Sequence, residues 1–352
     1  MKYKYLLISL VASILYACGG GGSSSSPTQA LYGIAYDATN NKLFVSDNSL
    51  NLIQSVNTTT GELKTVAGGA ATAAQFSYPS FMLAVPNGLN TDLFVADTGN
   101  EAIRKVASAN ATPTVTTYAG ILGTGSYVSG SIASGTAPFG TFLYPNAIAV
   151  DGSGNYFVAD TGNSVIREIT GGTISTIADI AAGFGSPAGI AIDANNVMYI
   201  TDAYYDVVKA VFYGTAHVPG GCSSTAGIWN ICTLSGISGT GTYINNTTGN
   251  TSTFHQPQGI ATAGLYLYVA DSANNAIRKV TISSGATTTL AGSPTGLPGR
   301  TDDAASDNGV SARFSFPTGL VYDGTQYLYV VDQNGTSIRK VDTQTGNTST
   351  IH

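Results

Sequence analysis

An all-β chain folded as a six-bladed β-propeller of four-stranded antiparallel blades is what three features of this 352-residue sequence predict. A stretch of the form "LFVADTGNEAIRKV", here quoted from Leu93, occurs in six versions down the chain. Each version supplies two candidate strands and is flanked by one more on either side, all punctuated by Gly, Pro, Asn and Asp. The second strand of each unit is apolar on consecutive residues, the mark of a strand buried on both faces. An antiparallel sheet finds a neighbour on both faces when several sheets pack radially, and six units make six blades.

The first strand of each unit reads "GIAYD" from Gly33, "FMLAV" from Phe81, "AIAVD" from Ala147, "GIAID" from Gly189, "GIATA" from Gly259 and "GLVYD" from Gly319. In five units a proline stands two residues earlier: Pro79, Pro145, Pro187, Pro257 and Pro317. The second strand ends on a fixed aspartate: Asp47, Asp97, Asp160, Asp202, Asp271 and Asp332. An aspartate there can accept backbone N–H groups of the following turn. On the third strand a β-branched residue is followed by a long polar one, Gln54, Arg104, Arg167, Lys209, Arg278 or Arg339. This side chain is placed to pair with its own aspartate, as Arg104 with Asp97, or with a neighbouring blade. The fourth strand closes the unit as "TVAG", "TYAG", "TIAD", "TLSG", "TLAG" or "STIH". Both fixed positions read as structural.

The pattern "P-x-G-I-A-x-D" followed by "L-Y-V-A-D-x-x-N-x-x-I-R-K-V" resembles the NHL-repeat six-bladed propellers over residues 31–352. Phe316 to Val341, preceded by "GRTDDAASDNGVSARF", is similar to bacterial NHL proteins and to the TolB-like and teneurin-type propellers. The resemblance implies the fold and little of the function, since members include sensors, adhesion modules, RNA binders and a few lyases and hydrolases.

Composition narrows the partners. The net charge is −6, from 14 basic and 20 acidic residues, which argues against a nucleic-acid partner. The opening "MKYKYLLISLVASILYAC" has the basic start and short apolar run of an export leader over residues 1–17. "LYAC" resembles a bacterial lipobox, although Tyr16 is bulkier than the usual residue; the resemblance implies cleavage before Cys18 and acylation of its thiol. "GGGGSSSSP" then reads as a tether within residues 18–30, and Gly19 carries no acidic retention signal, so an outer-membrane location is expected. Cys222 and Cys232 remain as an even pair, expected to form a disulfide in an exported chain.

Successive fixed aspartates lie 50, 63, 42, 69 and 61 residues apart, and the surplus over the shortest spacing is loop. Two insertions, Ile121 to Leu143 and Ser293 to Phe316, precede first strands and are expected to crowd the face where the second-to-third turns also lie. That face is the candidate binding face. On it "DAYYD" presents Tyr204 and Tyr205, whose rings would stack on a sugar, grip a peptide, or pack against an insertion loop.

Three histidines are too few for the metal site of amidating lyases among the NHL relatives: His217 falls in a third-to-fourth-strand loop, His352 is the last residue, and His255 alone falls at a mouth position. Gluconolactonase-like propellers use acidic and amide ligands, a role open to Asn146, Asp202 or Asn274 around a single channel calcium ion. "TDDAASD" from Thr301 lacks the ligand order of an EF-hand and reads as a solvated turn. The expectation is therefore a lipid-anchored monomeric binding or scaffold module for a protein, peptide or glycan, with no cofactor; the alternative is a metal-dependent hydrolase or lyase at the channel mouth. How the ring closes is open, because the first unit lacks its proline and the last stops at His352.

Overall fold

The structure, a computed structural model, describes residues 29–69, 76–126, 130–131, 140–178, 183–239, 244–245, 252–293, 295–303, 309, 311–332, 334 and 336–352. The leader, Cys18 and nearly all of the tether lie outside these residues. Six antiparallel sheets follow one another along the chain, each built from consecutive strands, and form a six-bladed propeller. Blade one runs through Leu31–Asp37, Lys42–Asp47, Leu52–Val56 and Leu63–Gly68; blade six through Pro317–Tyr322, Tyr327–Asp332, Ser337–Asp342 and Thr348–Thr350. No helix among the described residues is long and apolar enough to cross a membrane.

The continuous apolar second strands are buried along their length, as in Leu93, Phe94, Val95 and Ala96, because each blade is covered on both faces. The core accordingly divides into six clusters, one between each pair of neighbouring blades. The ring closes in the same way as every other junction: Leu31, Ile34, Leu43 and Val45 of blade one pack on Tyr329, Val331 and Ile338 of blade six. Both terminal blades have four strands, and His352 adds a contact between Nδ1 and the Gly61 carbonyl at 2.8 Å.

Each fixed aspartate clasps the start of its blade's first strand. Asp97, Asp160, Asp271 and Asp332 accept the backbone N–H of Ser77, Leu143, His255 and Ser315 at 2.7, 2.7, 2.8 and 2.7 Å. The arginine seven residues on pairs with the carboxylate of its own blade: Arg104 with Asp97 at 3.0 Å, Arg167 with Asp160 at 3.3 Å, Arg278 with Asp271 at 2.7 Å and Arg339 with Asp332 at 3.5 Å. The expected bonds to the following turn occur in blades one and four, where Asp47 and Asp202 accept turn N–H groups. In blades two, three and five the turn is a 3-10 helix and reaches the carboxylate through a side chain instead, that of Asn100, Asn163 or Asn274.

The guanidinium needs a lid as well as an anion. Phe76, Phe142, Phe254 and Phe314 supply it, with ring centroids 5.7, 5.9, 5.6 and 5.1 Å from the arginines, and Phe184 lies 5.5 Å from Lys209 Nζ. Each phenylalanine stands three residues before the proline, so the unit carries an F-x-x-P motif five times.

Part of the described insertions lies on the channel face as expected, bonded to its turns: the Gly123 N–H donates to the Asn100 carbonyl, Asn163 to the Ser126 carbonyl, Asn275 to the Gly296 carbonyl and Arg300 to the Asn334 carbonyl. Other parts run to the outer edges. Gly130–Ser131 adds a fifth strand to the outer edge of blade three, pairing with Thr173 and Ile174. Asp302 and Asp303 are not a solvated turn: their carboxylates accept the N–H groups of Thr350 and Thr348 on the outer strand of blade six. Asn245 likewise bonds Thr289 on the outer strand of blade five. An outer strand exposes unpaired backbone groups; Gly130–Ser131 and Asp302–Asp303 satisfy some of them, whereas Asn245 accepts from the Thr289 hydroxyl.

The Cys222–Cys232 disulfide forms, with Cα atoms 5.7 Å apart. It fastens the long loop of blade four, whose Gly220 N–H bonds the Ile282 carbonyl of blade five. Trp229 packs on Tyr213 of its own blade and on Phe157 of blade three, with ring centroids 5.6 and 6.2 Å apart.

Replacing Asp160 by alanine leaves Arg167 and the Leu143 N–H buried without their anion. The expected loss in chemical denaturation is about 3–5 kcal/mol, against a change within about 0.5 kcal/mol for the exposed Glu62→Ala.

Candidate mouth site

The first strands line a central cavity of ≈ 270 Å³ with residues such as Ile34, Met82, Ile148, Ile190, Ile260 and Leu320. The sequence makes this possible through glycine. A Cβ at Gly33, Gly189, Gly259 or Gly319 would lie 2.3–2.5 Å from a carbonyl oxygen of the next blade's first strand, so these strands approach closely. Blades two and three carry Phe81 and Ala147 at that position.

Phe81 packs on Tyr32 at 5.2 Å, and Tyr32 in turn stretches across the axis from blade one to donate its hydroxyl to Gln258 Oε1 of blade five at 3.1 Å. Asn146 of blade three also bonds the Tyr32 side chain, and burial pushes the phenol up to about 12 against that bond. Thr318 of blade six donates to the Tyr32 carbonyl at 2.9 Å. Tyr32, Ser80, Asn146, Ala188, Gln258 and Thr318 share one repeat position, just after the proline or its equivalent. Of these, Tyr32, Asn146 and Gln258 meet through their side chains and form a neutral polar floor at the end where the first strands begin.

Around this floor stands a rim. Tyr78, Tyr144, Gln256 and Phe316 immediately precede prolines and have φ of 49°, 49°, 50° and 57°. Left-handed backbone is costly for bulky residues and is doubly disfavoured before proline. Neighbouring blades hold it: Asn51, Asp206 and Asn275 accept the N–H of Tyr78, Gln256 and Phe316, each at 2.8 Å, from the blade before. The aromatic rings remain accessible, with Tyr78 57% and Tyr144 40% exposed.

Blade four has Gly185 and Ser186 before its proline, and its turn fills the gap. Tyr204, 44% exposed, lies over Gly185, where a Cβ would meet its ring at 2.6 Å. Tyr205 packs edge-on against Tyr204 at 5.0 Å, above Lys209 Nζ at 5.1 Å. His255 sits beside Gln256, its backbone fixed by Asp271 and by the Ala273 N–H. Tyr204 and Tyr205 thus pack together on the turn whose Asp206 holds Gln256, the neighbour of His255, and the sequence reading missed the aromatic residues that precede prolines in other blades. Their signal was an aromatic–proline pair at the same repeat position in "SYP", "LYP" and "SFP".

The charged groups next to the rim are few and engaged: Asp206 accepts the Gln256 N–H, Lys209 lies under Tyr205, and Arg300 donates to the Asn334 carbonyl. Glu101, on the turn of blade two, accepts the Gly125 N–H. Of the side chains considered for a cation, Asn146 alone is part of the floor. Asp202 is buried and accepts the N–H groups of Gly185 and Ser186, and Asn274 donates to Asp271. Among the described residues no three His, Cys, Asp or Glu side chains come together as a metal site.

No family model matches the chain. Human NHL repeat-containing protein 2 is 27% identical over 242 residues, covering 60% of this chain and 32% of that protein. The chain therefore spans about a third of the length of this relative. An auxiliary nutrient binding protein of Bacteroides thetaiotaomicron superposes with a TM-score of 0.66 at 15% identity, over 93% of this chain and 70% of that one. Virginiamycin B lyase of Staphylococcus aureus superposes at 0.53 and 13% identity, over 91% and 83%. The chain is a six-bladed β-propeller whose repeats are similar to those of an NHL repeat-containing protein. At these identities the solved structures speak for the fold alone.

In this propeller the clasp beneath the rim has its own electrostatics. Burial pushes the Asp160 carboxyl up to about 6 and that of Asp332, behind Ser315 and Phe316, up to about 7, with hydrogen bonds and the arginine opposing. A carboxyl raised in the folded state contributes its full stability below the ordinary carboxylate range and loses it as pH rises through the folded value. Melting temperature should therefore carry a falling component between pH 5 and 8 that Asp332→Asn removes. Parallel profiles for the two proteins would show that the carboxyl is not raised.

Proposed function

We propose that this propeller is a binding module of the bacterial cell envelope, anchored through an acylated Cys18 and a Gly/Ser tether, that takes its ligand on the aromatic rim over the polar floor. The observation that carries the reading is the rim itself. Tyrosine and phenylalanine occupy left-handed positions that glycine or asparagine would fill at lower cost. Strain of this kind, about 1–3 kcal/mol per residue, is found at ligand-binding positions. The floor supports binding over transport, because Tyr32, Asn146 and Gln258 meet beneath the rim. The likeness to an auxiliary nutrient binding protein agrees with a capture role, and the leader and net charge favour an exported monomer over a nucleic-acid binder.

Hydroxyl-radical footprinting of the full chain, with and without envelope extract from the source cells, tests the site without presuming the ligand. Tyr78, Tyr144 and Tyr204 should be protected, while Tyr213, 59% exposed on the third strand of blade four, reacts unchanged. Unprotected rim tyrosines would overturn the reading.

A further inference from the structure

We infer that the ligand of the rim is a neutral carbohydrate chain, an inference that rests on the binding role proposed above. Three features select this chemistry. The rim offers several exposed aromatic faces, Tyr78, Tyr144 and Tyr204, from three consecutive blades, and Phe316 adds a fourth ring from blade six. Flat rings of this kind cover the C–H faces of a pyranose, burying apolar area while its hydroxyls stay in water.

The polar side chains at the rim itself are an amide and an imidazole, Gln256 and His255; Asn146 and Gln258 lie in the floor beneath, bonded to Tyr32, and Ser186 is buried. Amides and hydroxyls both donate and accept, which matches sugar hydroxyls that do the same. The charged groups beside the rim are committed to backbone partners: Arg300 donates to the Asn334 carbonyl and Lys209 to the Gly183 carbonyl, while Glu101 accepts the Gly125 N–H and Asp206 that of Gln256, which disfavours an acidic sugar, a phosphate or an amine as the ligand.

A peptide would need different fittings. Strand addition requires a sheet edge with free backbone groups. The strand starts at this mouth have their N–H groups taken by the fixed aspartates and by Asn51, Asp206 and Asn275. The outer edges of blades three and six are met by Gly130–Ser131 and by Asp302–Asp303.

The left-handed backbone provides a test that separates binding from folding. Tyr78→Gly and Tyr144→Gly remove a ring and also relieve the strain, so each variant should melt at or above the wild-type temperature. Binding to the full chain is measured by calorimetry with maltohexaose, cellohexaose, xylohexaose and mannohexaose, alongside hexagalacturonate as an acidic sugar and hexaalanine as a neutral peptide. At least one neutral hexasaccharide should bind, with affinity about 10-fold lower in each glycine variant, a loss of about one stacking contact. Tyr78→Phe should retain binding, and Tyr213→Ala should not change it.

Failure of all four neutral sugars, equal or tighter binding of hexagalacturonate or hexaalanine, or neutral-sugar binding indifferent to both glycine variants would each overturn the carbohydrate assignment. Rim protection by envelope extract combined with that failure would leave the binding site standing with a different ligand. Loss of both would remove the site as well.

Discussion

A carboxylate buried at the end of each second strand is the interaction on which the rest of this propeller depends. In blades two, three, five and six it gathers three things that the chain brings from different directions: the N–H that opens the first strand, the turn or strand next to it, and a guanidinium from the third strand. A buried charge is tolerated only when it is paired and hydrogen-bonded. Each aspartate therefore fixes three elements at once, and the phenylalanine over the guanidinium excludes water from the pair. Repetition of this unit, more than any single core contact, explains why sheets that differ in sequence, such as those of "YFVAD" and "LYVVD", are positioned alike around one axis.

The same clasp makes the mouth. It holds the residue two before the proline, which places the next residue at the channel entrance in left-handed backbone, and an Asn or Asp from the preceding blade secures that residue's N–H. A scaffold this heavily determined can carry strained aromatic residues. Blade four, which has lysine in place of arginine and Gly-Ser before its proline, reaches a similar surface by another route, through Tyr204 over Gly185. Behind the rim, Tyr32 and Phe81 occupy space that a smaller residue at either position would leave open.

Blade number, strand order, the strand-ending aspartates, the arginine partners and the disulfide were all legible in the sequence, because each repeats or pairs within a few residues. What escaped was non-local. That Asp302 and Asp303 reach the outer edge of blade six depends on the N–H groups of Thr350 and Thr348, more than forty residues away in sequence. The Phe three residues before each proline was visible, but its purpose, covering an arginine more than twenty residues on, is not. Likewise "SYP" and "LYP" look like ordinary turns until φ places Tyr78 and Tyr144 in the left-handed region. Asp202 and Asn274, set out as ligand candidates on residue type alone, are consumed by backbone N–H groups and by Asp271.

The central claim, that the buried aspartate holds the start of the first strand, is tested most directly by residue-resolved hydrogen exchange on Asp97→Ala. Loss of the bond to a charged acceptor should speed exchange of the Ser77 amide by at least about 10-fold, with Tyr78 following as its support loosens, while Leu143 and His255 in the intact blades keep their protection. Unchanged exchange at Ser77 would contradict the account, as would a loss of protection spread evenly over all six blades.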